Sequence, residues 1–399
     1  MNTEKILQFL QKHEKRIFQV LSYVLVAVLT ASITVMLTLG SVLSQGGKSK
    51  LDALNQLIKD KFIGEADEKK IGDAAANAMI ETLGDRWSYY IPADEFADYQ
   101  DQKKNSYVGI GVTITPASDG SLEVKQVTAG GSAEEAGVQA GDFITGVNGQ
   151  SIMGTDLNTI SAMIKGEAGT TVELTLSSGG QEKIVTVTRR QIRIPVATGK
   201  LLDGGIGLVR IENFNTNCKT ETIAAIESLI EQGATKLIFD VRFNPGGYAK
   251  ELVDILDYLL PKGDLLRTED VSGKVEVETS DEKCLQMPMA VLVNGDSYSA
   301  AEFFAAALSE REWATVVGEQ TSGKGYYQVT YSLPDGSAVG LSIGKYFTAK
   351  GVSLEGVGIT PDVVVPVDEN TASAIYAGTI EPANDPQLQA AVKALTNAQ

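Results

Sequence analysis

Residues 288–308 read PMAVLVNGDSYSAAEFFAAAL. Met289 to Val293 is apolar at every position, Asn294-Gly295-Asp296 interrupts the run, and an alanine-rich stretch follows from Ala300 to about Glu310. That order predicts a buried strand, a turn and a helix. A strand apolar on both sides belongs in a sheet covered on both faces, the habit of parallel sheets. The same pattern occurs twice more. Upstream, TKLIFDVR (235–242) is followed by NPGG and then by YAKELVDILDYLL (248–260), with Leu252, Ile255, Leu256 and Leu259 on one side of a helix. Downstream, ATVVGE (314–319) leads into QTSGKG (320–325). The expected fold is an α/β core built on a mostly parallel sheet with helices on both faces.

In open sheets of this kind, function collects beyond the carboxyl ends of the strands. The segments there are Asn244–Gly247, Gly295–Ala300 and Thr321–Gly325. Ser299 falls at the start of a predicted helix, where free amides and the helix dipole favour developing negative charge. Serine is also a favoured helix N-cap, so its position alone does not make it a nucleophile. The glycines at 246 and 247 let backbone amides approach a substrate, and one of them with the Ala300 amide would make an oxyanion hole.

A serine nucleophile needs a proton acceptor, and the chain has one histidine, His13. Lys324, between two glycines after a buried strand, is the alternative base, because burial disfavours the ammonium form. Serine–lysine pairs are an established variant of the catalytic triad. A solvated loop lysine is the plainer reading of the same residue. A phosphate loop fits less well: Gly318 and Gly323-Lys324 have its spacing, yet Gly325 stands where a serine or threonine is required.

From Ile17 to Gly47 no residue is charged, and the run exceeds the roughly 20 apolar residues that span a bilayer. Lys5, Lys12, Lys15 and Arg16 precede it. The positive-inside rule then places residues 1–16 in the cytoplasm, an anchor over 17–44, and everything later outside. His13 would lie across the membrane from Ser299. A cleaved signal peptide is the competing reading, although no A-x-A site ends the run. The net charge of −17 opposes binding to nucleic acid. Two cysteines, Cys218 and Cys284, are too few for a disulfide framework.

Residues 50–104 read as a helical region, with KIGDAAANAMIETLGD (70–85) in helical period and nothing catalytic evident. Residues 105–192 change to short alternating strands, SLEVKQV, TVELTLSS and KIVTVTRR, separated by glycine turns, which is a small β-rich module. The catalytic region would occupy 193–370 and a C-terminal segment 371–399.

Taken in order, these motifs resemble the C-terminal processing (tail-specific) proteases, S41-type serine peptidases that carry a PDZ domain. YVGIGV (107–112) and AEEAGVQAGDFITGVNG (133–149) are similar to their PDZ domain. DVRFNPGG (240–247), VNGDSYSAAEFFAAAL (293–308) and VVGEQTSGKGYYQ (316–328) are similar to their catalytic segments, and residues 333–365 to their tail. The resemblance implies Ser299 as nucleophile, Lys324 as general base and Gln328 as the group orienting it. It also implies Gly246 and Ala300 as the oxyanion hole, with Gly247 the alternative. Gly109, Ile110, Gly111 and Val112 would form the loop binding a peptide carboxylate, and Lys165 stands where relatives carry an arginine that senses bound peptide. A β-rich cap would come from segments around 195–235 and 330–370. Departures are Tyr298 for a small residue, Ala301 for serine, Ala349 for proline and Lys165 for arginine.

The function so implied is a membrane-anchored endopeptidase that captures protein C-terminal tails, free or unstructured, and needs neither cofactor nor metal. Helices in 50–100 and the segment DPQLQAAVKALTN (385–397) suggest a homodimer by the same resemblance. The alternatives are a catalytically weak PDZ regulator that presents C-termini to another protease, and a hydrolase of small esters.

Overall fold

The computed structural model describes residues 3–45, 49–128 and 130–397. They fall into two units, Met1–Ala76 and Asn77–Gln399. In the first, Thr3–Gln45 forms one long helix, uncharged from Ile17 onward. Its Phe18–Met36 stretch is long and apolar enough to cross a membrane. The helix Lys50–Lys61 starts at a reciprocal cap: the Asp52 amide donates to Ser49 Oγ at 3.2 Å, and the Ser49 amide donates to Asp52 Oδ2 at 3.0 Å.

In the second unit, the run of apolar strands forms a six-stranded sheet. Its order is Ala197–Leu202, Ile206–Ile211, Lys236–Asp240, Met289–Val293, Ala314–Gly318, Val363–Val364. Every pair in it is parallel except the edge pair Ala197–Leu202 with Ile206–Ile211. Period-two alternation sends successive residues to opposite faces. Leu237, Phe239, Val291 and Val293 pack with the helices Cys218–Glu231, Ala249–Leu259 and Ala300–Glu310. Ile238, Ala290 and Leu292 meet Leu388, Ala391 and Leu395 of the helix Pro386–Asn397. Phe304 anchors the helix after Ser299, with ring centroids 5.7 Å from Phe214 and 5.3 Å from Phe239. Each such aromatic pair contributes about 0.5–1.5 kcal/mol beyond area burial.

The remaining sheets are antiparallel, so the expectation of a mostly parallel sheet does not describe the chain: it is mixed α/β with antiparallel pairing prevailing. The origin of the cap agrees with expectation around 330–348 and differs around 197–211. Tyr89–Ile91, Gly263–Asp270, Val275–Ser280, Tyr326–Ser332 and Ala338–Thr348 build it. Residues 197–211, expected there, instead form the edge of the core sheet, because Ile206, Val209 and Ile211 bury their side chains in the cores beside it.

The β-rich module is a sheet of order Val112–Pro116, Leu122–Val127, Phe143–Val147, Thr171–Ser178, Gln181–Thr188, packed around Ile144, Leu174, Leu176 and Ile160. Cys218 and Cys284 are both free thiols. The C-terminal helix packs Leu388, Ala391 and Leu395 against the core sheet.

Candidate active site

The three loops that follow the parallel strands lie side by side because those strands are neighbours. Hydrogen bonds join them. Tyr298 N donates to the Asn244 carbonyl at 3.0 Å, Phe243 N to Asn294 Oδ1 at 2.9 Å, and Ser297 Oγ to the Val241 carbonyl at 2.8 Å. Ser322 N reaches the Ser297 carbonyl at 3.3 Å.

Ser299 sits at the strand-to-helix turn with φ 52° and ψ −117°, a region that costs a non-glycine residue about 1–3 kcal/mol. Two contacts hold it there. Its amide donates to Glu302 Oε2 at 2.8 Å. Gly246 lies directly against the turn, since a Cβ at that position would come within 2.8 Å of the Tyr298 carbonyl and 3.0 Å of Ser299 Cβ. Gly247 is held by the Phe214 backbone, which would lie 2.3 Å from an added Cβ. Both glycines are therefore required by close approach.

The Gly246 amide donates to Asn244 Oδ1 at 2.8 Å. Among the described hydrogen bonds, neither the Gly247 nor the Ala300 amide has an acceptor. Ser299, Gly247, Lys324 and Gln328 line one cleft of about 860 Å³. A small apolar recess lies beside Ser299, walled by Leu252, Leu266, Phe303 and Tyr346.

Lys324 is half-buried, with its ammonium 4.8 Å from the centroid of the Trp87 ring. Burial holds its pKa below the ordinary lysine value, and the charge of Lys103 pushes the same way; Asp85, Glu355 and Glu302 oppose them. Gln328 Nε2 donates to the Tyr326 carbonyl and to Ser342 Oγ, both at 3.0 Å. Its described hydrogen bonds include none to Lys324.

Two sets of residues escaped the sequence reading. Glu302 is fully buried, and its carboxylate accepts from Thr321 Oγ1 (2.6 Å) and from the amides of Gly323 (2.7 Å), Lys324 (2.8 Å) and Ser299 (2.8 Å). Burial raises its pKa, and those four donors pull against the rise. The other set is Asp85-Arg86-Trp87, from the region in which nothing catalytic was evident. Arg86 Nη2 donates to the carbonyls of Ser322 (3.2 Å) and Gly323 (3.1 Å), and Trp87 Nε1 to Glu355 (3.0 Å). The signal was present: an arginine and a tryptophan directly after a helix stop at Gly84.

The remaining expected residues lie in the β-rich module. Val112–Pro116 is an edge strand of its sheet, and Gly111 has φ +81° at the turn before it. The Ile110 carbonyl accepts from Ala133 N at 3.0 Å and Ser132 Oγ at 3.2 Å, so the loop Gly109–Val112 is fixed to the short helix behind it. Lys165 follows the helix Leu157–Ile164, is exposed, and pairs with Asp98 at 3.5 Å.

Ser299 thus stands strained at a strand-to-helix turn and shares a cleft with Lys324. Residues 205–365 match the pattern of peptidase family S41, and residues 123–177 match a PDZ domain. The carboxy-terminal processing protease CtpA of Bacillus subtilis is 33% identical over 84% of this chain and 74% of its own length. The chain belongs to peptidase family S41. A CtpA-like serine protease of Staphylococcus saprophyticus is 30% identical over 90% of this chain and 74% of its own length. A solved S41-type chain from Bacteroides fragilis, 16% identical, superposes with a TM-score of 0.50 over 88% of this chain and 98% of that one, a likeness of fold. As an S41 member the protein is a serine-type C-terminal processing peptidase with a PDZ domain.

Proposed function

We propose that this S41 peptidase is a membrane-anchored endopeptidase in which Ser299 is the nucleophile and Lys324 its general base. The observation that carries the reading is that both line one cleft, with Lys324 in surroundings that disfavour its charge. Neutral Lys324 Nζ takes the Ser299 hydroxyl proton as Oγ bonds to the scissile carbonyl carbon. The resulting oxyanion is received by backbone amides. Because the Gly246 N–H is already donated to Asn244, Gly247 replaces Gly246 as the partner of Ala300 in this role. The tetrahedral intermediate then loses its C–N bond, and the Lys324 ammonium returns the proton to the leaving amine. Water, deprotonated by Lys324 in turn, cleaves the acyl-enzyme.

Gln328 has both described hydrogen bonds on its Nε2, which leaves its carbonyl oxygen as the end to orient Lys324. The recess beside Ser299 suits a small apolar side chain before the scissile bond. In the PDZ domain, a substrate tail adds as a strand to Val112–Pro116, and amides of Gly109–Val112 hold its terminal carboxylate. Lys165, at the end of the neighbouring helix, senses the bound tail. The Phe18–Met36 helix anchors the protein, with residues 1–16 cytoplasmic and the peptidase outside.

The test is cleavage of an unfolded protein with a free apolar C-terminus by the full chain in detergent, alongside Ser299→Ala and Lys324→Ala. Loss of turnover in both folded variants is expected. Full turnover in Lys324→Ala would overturn the dyad, and tail binding with no cleavage by the parent would favour the docking regulator.

A further inference from the structure

Two further cations, Lys103 and Lys104, line the cleft that holds Ser299 and Lys324. Lys103 ends the helix Phe96–Lys103 and lines the same space as Ser299 and Lys324. Its Nζ lies 5.6 Å from the centroid of the Tyr99 ring and 5.9 Å from that of Tyr248, over aromatic faces. The carboxylates of its own helix are engaged elsewhere: Asp98 pairs with Lys165 at 3.5 Å and Asp101 with Lys104 at 3.8 Å. Among the described residues Lys103 has no ion pair, so its charge is not neutralised locally. Its carbonyl accepts from Thr216 N at 3.3 Å, which ties the helix end to the core.

The acids facing Lys324 are in a different condition. The Glu302 carboxylate accepts three amides and a hydroxyl, Glu355 accepts Trp87 Nε1 and Gly325 N, and Asp85 accepts Ser88 Oγ and the Trp87 amide. Arg86 lies over the Trp87 ring at 4.0 Å, and Tyr99 and Tyr248 face Lys103. We propose that Lys103 is a charge-tuning residue of the active site, its unneutralised ammonium keeping Lys324 in the proton-accepting form across the cleft. This rests on the Ser299–Lys324 reading. Like charges sharing a site each disfavour the other's charged form, and cationic neighbours activate lysines in this way. A lysine in the last turn of a helix also complements the helix dipole, and that role would leave the catalytic pH profile alone.

The experiment is kcat/KM against pH for the full chain in detergent with a fluorogenic peptide bearing a free C-terminus. Wild type, Lys103→Gln, Lys103→Arg and Lys324→Ala are compared. In Lys103→Gln the rising midpoint should move up by at least half a pH unit, about a threefold loss on the acid side that is recovered on the alkaline plateau. Lys103→Arg, which keeps the charge, should return the midpoint toward wild type. If Lys103→Gln does not fold, Lys103→Met takes its place, since it keeps an aliphatic stem over Tyr99 and Tyr248. An unmoved midpoint in the neutral variant, including one accompanied by a raised KM, overturns the proposal. If Lys324→Ala is inactive in that case, the dyad stands and only the role of Lys103 falls. Full activity of Lys324→Ala would overturn both.

Discussion

The backbone amides of Ser299 and Lys324 donate, each at 2.8 Å, to the same carboxylate oxygen of Glu302. Ser299 and Lys324, the proposed nucleophile and base, come from loops after different strands, and this oxygen fixes their backbones relative to one another. Gln at this position offers one acceptor oxygen and turns an NH₂ toward groups that are themselves donors. Glu302→Gln should therefore lower kcat about 10- to 100-fold, as expected for a small displacement of catalytic groups, with little change in KM. The buried donors left without acceptors cost about 1–3 kcal/mol. Steady-state kinetics with a thermal melt checks both, and an unchanged kcat would show that the shared oxygen does not position the pair.

Lys324 serves activity at a cost in stability, and its deprotonation favours both. Its pKa in the folded protein lies below that of the unfolded chain, chiefly through burial. Between the two values the unfolded state binds more protons, so stability rises with pH there. The penalty is complete below the folded pKa and gone above the unfolded one. The neutral base grows over the same interval, so kcat/KM should climb from acid toward a plateau. Lys324→Met should abolish turnover, a loss of about 10³-fold or more, while raising Tm at neutral pH by about 2 °C or more. A melting point that falls would mean that the lysine contributes more by packing on Trp87 than it costs by desolvation.

The core strands Lys236–Asp240, Met289–Val293 and Ala314–Gly318 were legible because they are largely apolar, and the helices Ala249–Leu259 and Ala300–Glu310 lie where their periodicity predicts. The three loops at one sheet edge followed from that order. The cap strands Tyr89–Ile91, Gly263–Asp270 and Val275–Ser280 were missed because they carry little pattern: Val275–Ser280 is exposed along most of its length, and nothing local tells such a strand from a loop. Arg86 and Trp87 meet a loop more than 230 positions away in sequence, a relation no local pattern contains. Three of the four donors to Glu302, from Thr321, Gly323 and Lys324, become its neighbours only once the sheet has formed.

The edge strand Val112–Pro116 makes a prediction about substrates. In the proposed mode a tail adding to it would be held at its end by amides, which favour a carboxylate over a neutral group. Amidating the C-terminus of an otherwise identical substrate should lower kcat/KM about tenfold or more, a difference of about 1.4 kcal/mol. Equal cleavage of the two forms would remove carboxylate capture from the reading and leave the PDZ domain a scaffold.

Arg242 ties the C-terminal segment to the loop carrying Gly247. Its guanidinium is buried and donates to Asp240 Oδ1 (2.8 Å) and Oδ2 (2.6 Å), Asp385 Oδ1 (3.2 Å) and Oδ2 (2.8 Å), and Gln387 Oε1 (3.0 Å). Burial opposes the charge, and Asp240 and Asp385 more than offset it. Removing one partner of a buried pair costs about 3–5 kcal/mol, because the other charge remains buried. Asp385→Ala should accordingly lower Tm by roughly 6 °C or more. Asp385→Asn keeps an acceptor for Arg242 and should fall between Asp385→Ala and wild type. Since Arg242 lies two residues before Asn244, which positions Gly246, the Ala variant should also lose kcat at temperatures where it remains folded. A melt in which Asp385→Ala matches wild type would show that Asp240 and Gln387 hold Arg242 without the C-terminal segment.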